Sequence, residues 1–492
     1  MKKSSVPRSP GGPLRFVAVA LALLFSVTHS PAQPIDLPGF GGSADLVVSS
    51  AQERRLGRAF IRDVHKALSV IEDPLLTDYI ESLGHRLVAA SATGAGRYHF
   101  FLIEHPTVNA LAGPDSHIGV FSGLVLACEN EGELAAVMAH EIAHVTQRHL
   151  LRSFEDRKRL NIPATAALIA AAILGAQVHT DLGAAAMAGI QAAAVQRQIN
   201  FTREHEQEAD RIGIATLAAA GFDPYAMPGF FERLARASRV HESGAPEFLR
   251  THPVTSRRIA DALGRADRYG HKQRPDDLRF HLVRARLRAR SLGGASKVIA
   301  HFRSQLERKR YRNETAARYG YALGLVRGNH IRAARAASDA LLARHPNQAE
   351  FIILEAWLDA KRGAAGRAIE TLRTAVELRP SSLPLRIAYA DILMTSGQSA
   401  RALKTLEEVA RGRPGRALIY QKLADAALKS GQPAAVHRYR AEKSYAEGDL
   451  ETAIRHLEIA LRRPGLSYHE AARIQVRRDA LEQENKNAER GP

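Results

Sequence analysis

The stretch VMAHEIAHVTQRH, Val137 to His149, places three histidines and one glutamate in thirteen residues of an otherwise apolar segment. On a helix, residues four apart share a face, so His140 and His144 offer imidazole nitrogens to a single metal ion. Glu141 is turned about 100° from His140, close enough to reach a water beside the ion without binding the ion itself. Hydrolysis of a peptide bond needs this division: a Lewis acid, a water, and a carboxylate that takes the water's proton.

Two histidines do not complete a zinc site. One known completion needs a glycine three residues and a histidine six residues past His144, and Gln147 and Leu150 stand there instead. His149, five residues on, is placed on the helix surface. The other route is a carboxylate from a later helix. REHEQEADRIGI supplies Glu206 and Asp210, four apart and therefore on one face. Glu206 is the candidate third ligand. Asp210 is the candidate acceptor for the far N–H of a ligand histidine, fixing its tautomer. The competing account of Glu204, Glu206 and Glu208 is an acidic helix start that complements the macrodipole.

The elements that must position these groups are mostly helical in pattern. Ser50 is a plausible cap for an amphipathic helix through Leu68. RYHFFLI and HIGVFSGLVL have strand composition, and EHPTVNALAGPDS between them is turn-rich. The segment from Val108 to Val125 is expected to provide a strand beside the cleft, with Asn109 and Ala110 as candidate substrate contacts. Two alanine-rich stretches, Ile162 to Gly175 and Leu182 to Val195, are shorter than a membrane span and suggest a helical hairpin.

The C-terminal part repeats. Pro346, Pro380 and Pro414 are 34 residues apart, as are Ala334, Ala368 and Ala402, and Gly363, Gly397 and Gly431, with a further copy around Ala453 and Pro464. This period is that of the tetratricopeptide helix–turn–helix unit, with small residues where paired helices approach closely and proline where the second helix must stop. Such arrays bind partners and carry no chemistry of their own. The fold class expected is mainly α, with an α+β peptidase domain containing a small sheet, followed by an all-α repeat array. The boundaries are 1–32 for a signal peptide, 33–265 for the peptidase domain, 266–277 for a linker and 278–492 for the repeats.

HEIAHVTQRH together with EHEQEADRIG resembles the gluzincin peptidases related to HtpX and the CAAX-prenyl endopeptidases, and the HPVTSRRIAD segment and repeat tail extend that resemblance over nearly the whole mature chain. The resemblance implies one Zn2+ per chain held by His140, His144 and Glu206, catalysis by Glu141 and support from Asp210. It implies clients that are unfolded or stalled outer-membrane proteins, degraded or helped forward, with the repeats docking on the barrel-assembly machinery. His252, in a His-Pro followed by Arg258, is either a regulatory fourth ligand or an oxyanion donor. LPGFGG, Leu37 to Gly42, is similar to the family's leading segment but has Gly39 where an acidic residue is common.

Charge and cysteine usage fit this setting. Four basic and no acidic residues lie in 1–32, around the apolar run FVAVALALLFSV, so removing that segment takes the net charge from +18 to +14. The run is too short to span a bilayer and reads as a cleavable export signal, placing the chain in a periplasm. The single cysteine, Cys128, excludes an intrachain disulfide. Residues 281–344 hold 15 Lys/Arg against 3 Asp/Glu, a net +12. Outside the cytosol that excess points away from nucleic acid and towards an acidic protein surface, a peripheral membrane contact, or a merely solvated face. A second functional class stays open, a repeat-based adaptor or chaperone whose peptidase is latent.

Overall fold

The computed structural model describes residues 49–92, 96–153, 203–240, 247–272 and 274–489. The expected signal segment, the LPGFGG turn and both alanine-rich stretches lie outside the described residues. No described helix is long and apolar enough to cross a membrane.

Helix α1 spans Ser50–Ala67 and starts one residue earlier than expected. Ser49 is its cap and forms a reciprocal capping box with Gln52, whose side chain returns to the Ser49 N–H. Asp73 caps α2, Pro74–Ala90, with Pro74 in the first turn, where a missing N–H costs nothing. Three short strands follow: β1 His99–Ile103, β2 Ala110–Gly113 and β3 His117–Phe121, in the order β1-β3-β2. β1 pairs parallel with β3, and β2 pairs antiparallel through a turn in which Asp115 and Ser116 both take positive φ.

Two expectations change here. HIGVFSGLVL is a strand only as far as Phe121; Ser122–Ala127 is helix α3, because the Ser122 hydroxyl and the Gly123 N–H both bond to the His105 carbonyl and turn the chain off the sheet. An apolar run cannot by itself distinguish a buried strand from a buried helix. Conversely, the turn-rich segment contains the edge strand β2.

Helix α4, Glu131–Thr146, is buried from Leu134 to His144. Asn130 caps it, and Glu131 and Glu133 sit in its first turn, the favourable end of the helix dipole. Helix α5 is the short His149–Arg152. Helix α6, Arg203–Ala219, lies along α4 at Gly213, where an added Cβ would meet Met227 at 2.8 Å and the His140 backbone nitrogen at 3.3 Å. Helices α7 (Ala226–Val240), α8 (Glu247–Thr251) and α9 (Ser256–Ala266) close over this pair. The core between them holds Phe230, Phe231 and Phe248, all essentially buried.

From Leu278 the chain is helical hairpins, beginning with α10 (Leu278–Ser291), α11 (Ala295–Glu307) and α12 (Glu314–Arg327) and ending in a helix over Tyr468–Glu489. Ala334, Ala368, Ala402 and Ala453 are fully buried between helices, and Gly363, Gly397 and Gly431 take the positive φ that reverses the chain. The array folds back on the peptidase portion, and its basic excess is partly answered there. Arg279 pairs with Asp78, Arg286 with Asp73, Arg290 with Glu104, Arg312 with Glu129 and Arg416 with Glu81. The acidic surface sought for residues 281–344 is thus in part the chain's own. At the far end, Gly448, with φ 80°, sits so close to the Arg58 carbonyl that a Cβ would collide with it.

Asp73 serves both roles, capping α2 and holding Arg286. Asp73→Ala is expected to destabilise the chain by about 1–2 kcal/mol, the sum of a lost cap and a partly exposed ion pair. Urea unfolding of the variant against wild type checks this. An unchanged midpoint would mean that the array is not held at α2.

Candidate metal centre

Two helices and one loop converge on one point. His140 and His144 project from the same face of α4, Glu206 from the first turn of α6, and His252 from just beyond α8, and all four are buried. One donor atom from each lies within 4.8 Å of every other. The His140 Nε2 and His144 Nε2 atoms are 3.0 Å apart. The Glu206 carboxylate lies 3.5 Å from the first and 3.4 Å from the second, and His252 Nδ1 is 2.9 Å from Glu206 and 3.3 Å from His140. Ligands sharing one tetrahedral ion with bonds of ~2.1 Å stand ~3.4 Å apart, so the spacing suits a single small cation.

The surroundings are unusual in their charge. Glu141, Glu206 and Asp210 are at most 2% exposed. The permanent cation among them is Arg258, which forks onto Asp210 through two 2.8 Å bonds and reaches Glu206 at 2.7 Å. Among the described residues, three buried carboxylates against one buried guanidinium leave a deficit of two positive charges. Buried charge without a partner is costly, and the protons respond accordingly. Burial would lower His140, but Asp210 and Glu206 outweigh it and raise His140 to about 10. Burial raises Glu141, against the opposing pull of His252 and His140. Glu206 runs the other way: burial would raise it, but His252, His140 and His144 hold it well below the usual carboxylate range. A divalent cation would fill the deficit, and two imidazoles and a carboxylate are donors that zinc accepts.

Asp210 lies 3.0 Å from His140 Nδ1, the far nitrogen, within reach for a carboxylate that would orient the ring. Among the described residues, both Glu141 oxygens are buried without a hydrogen bond, and the nearer one is 3.5 Å from His252 Nε2. Asn109 is buried, and its amide oxygen accepts from the Ala110 N–H, so its side chain is turned onto its own backbone.

His149 corrects the sequence reading. It is fully buried, not on a helix surface. The helix ends at Thr146, and Arg148 takes a left-handed conformation at φ 52°, swinging the next residue inward. His149 Nδ1 then sits 2.9 Å from His144 Nδ1, and its Nε2 is 3.0 Å from Glu208. Burial and the neighbouring His144 push it down to about 3, against Glu208, so the ring is neutral. With His144 Nε2 facing the cluster, its Nδ1–H donates to His149, which in turn donates to Glu208. Periodicity could not find this, because it assumes a helix that continues and Arg148 carries no break signal. Arg258 was noticed in the sequence only by its spacing from His252; its role as clamp on two carboxylates emerges from the fold.

A fold of this kind around such a site defines a metalloendopeptidase, and the chain belongs to peptidase family M48, whose family model matches residues 74–266. A tetratricopeptide-repeat model matches residues 360–426. The chain is 36% identical over 362 residues to the beta-barrel assembly-enhancing protease of Escherichia coli O157:H7, a match covering 74% of each chain. It is 47% identical over 229 residues to the putative beta-barrel assembly-enhancing protease of Vibrio cholerae, covering 46% of this chain and 47% of that one. It is 30% identical over 183 residues to the mitochondrial metalloendopeptidase OMA1 of Schizosaccharomyces pombe, covering 37% and 51%.

Proposed function

We propose that the chain is a periplasmic zinc endopeptidase of outer-membrane protein quality control, with His140, His144 and Glu206 as ligands and Glu141 as general base. The observation that carries this is the buried deficit of two positive charges beside a convergent two-imidazole, one-carboxylate donor set. Zinc held there would supply Lewis acidity to a water and to a peptide carbonyl. The protein's own groups do the rest. Glu141, buried and without a hydrogen-bond donor, takes the proton of the attacking water and delivers it to the leaving amine. Asp210 and Arg258 hold His140 and Glu206 in place. The edge strand β2, packed against α4, aligns an extended substrate by backbone pairing, which tolerates many side chains.

Clients and partners follow from the relatives. The beta-barrel assembly-enhancing proteases point to unfolded or stalled outer-membrane proteins as substrates and to the barrel-assembly machinery as the body on which the repeats dock. Incubating the purified chain with an outer-membrane barrel protein, unfolded and folded, tests this. Cleavage of the unfolded form alone, abolished by a chelator, is expected, and cleavage of neither form would overturn it.

A specific observation favours the second reading, a repeat-based adaptor or chaperone with a latent peptidase. His252 stands among the candidate ligands at 2.9 Å from Glu206, which supports its reading as a regulatory fourth ligand over that as an oxyanion donor. His252→Ala is therefore expected to cleave casein several-fold faster than wild type, in proportion to the fraction of molecules that His252 holds idle. A slower variant would assign His252 to stabilising the oxyanion. His149→Ala is expected to weaken metal affinity by about 10- to 100-fold by freeing the far nitrogen of His144. Chelator competition measures this, and unchanged retention would remove His149 from the metal's support.

A further inference from the structure

Between the start of the helical array and the end of α3 lies a cavity of about 250 Å3. Arg284 and Arg288 enter it from one face of α10, His301 from α11, and Arg310 and Arg312 from the turn before α12. The neighbouring arginines of α10, Arg286 and Arg290, do not line it and are neutralised by Asp73 and Glu104. Of the cavity arginines, one is treated so among the described residues. Arg312 pairs with Glu129 at 3.0 Å. Arg284 donates to the Leu126 carbonyl, while its Nε is buried with no hydrogen-bond partner. Among the described residues, Arg288 and Arg310 have neither an ion pair nor a side-chain hydrogen bond. Burial, then the adjacent Arg312 charge, lowers Arg284, and burial, then Arg288, lowers His301. The like charges are therefore close enough to repel one another.

We propose that this cavity binds a phosphomonoester or free phosphate dianion. Arg312 has Glu129 and His281 has Asp276, but among the described residues Arg284, Arg288 and Arg310 face the cavity with no carboxylate ion pair, and guanidinium groups gathered in this way call for a counter-charge from elsewhere. A single carboxylate would leave most of the repulsion in place. A phosphate brings two charges and several acceptor oxygens, and forked guanidinium donors match it in plane and spacing. The volume falls below the ~300 Å3 at which drug-sized sites begin, and suits a compact headgroup. Arg310 and Arg312 are exposed at the mouth, so the phosphate can arrive free or at the end of a lipid.

Titration calorimetry of inorganic phosphate into the full chain, at ionic strength fixed with chloride, tests the site against the Arg288→Gln, Arg310→Gln double variant. Saturable binding to wild type, about tenfold or more weaker in the variant, is expected. Neither side chain makes an internal bond, so the variant should unfold at the wild-type temperature in phosphate-free buffer. A second arm uses vesicles of phosphatidylcholine with and without phosphatidic acid. Retention on the acidic vesicles that is lost in the variant makes the phosphate lipid-borne, and phosphate binding without retention makes it soluble. No saturable heat in wild type, or equal affinity in the variant, would overturn the proposal.

Discussion

Glu141→Gln is expected to lower the turnover of casein by about 10²- to 10⁴-fold while leaving the metal in place. The glutamate is not one of the four converging donors, so its amide isostere takes nothing from the ion. The loss should appear in kcat rather than KM, since both Glu141 oxygens are buried and the side chain acts by moving a proton rather than by gripping substrate. The fold should not suffer. An uncompensated buried carboxylate is exchanged for a neutral group of the same shape, so the variant should unfold no earlier than wild type. Turnover within a few-fold of wild type would mean that another group takes the proton.

Arg258→Ala carries the second large effect, on stability. Arg258 is 4% exposed and neutralises Asp210 and Glu206 together, while also donating to the Pro253 carbonyl that leads into His252's loop. Removing one partner of a buried charge network costs about 3–5 kcal/mol, because the partners stay behind without compensation. The expected result is a large fall in the urea midpoint and loss of tight metal retention. Arg258→Lys should recover only part, since an ammonium cannot fork onto a carboxylate as guanidinium does. Unfolding of Arg258→Ala at the wild-type midpoint would show that the network contributes little.

Much of this site could be read in the sequence because helical periodicity is a local rule. The four-residue spacing of His140 and His144, and again of Glu206 and Asp210, fixes which side chains share a face whatever the tertiary fold. The repeat array was legible for a similar reason: its glycine, alanine and proline positions recur because each unit meets the same steric problem. What escaped depends on breaks in regularity or on distance. His149 reads as outward-facing because nothing in Arg148 announces a left-handed turn. Helix α3 reads as a continuation of β3 because the decisive acceptor, the His105 carbonyl, lies seventeen residues earlier than Ser122. The basic stretch 281–344 could be counted but not partnered. Its acidic complements Asp73, Glu104 and Glu129 are remote in sequence, and only the folded chain shows which arginines they neutralise and that Arg284, Arg288 and Arg310 face the cavity without a carboxylate among the described residues.

The central claim is that the buried cluster is a metal site and that Glu141 is its base. Metal content of the purified chain, by mass spectrometry of wild type, Glu141→Gln and Glu206→Ala, meets it most directly. One zinc per chain in wild type, retained in Glu141→Gln and lost in Glu206→Ala, is the expected result. A metal-free wild type, or zinc bound equally well by Glu206→Ala, would contradict it.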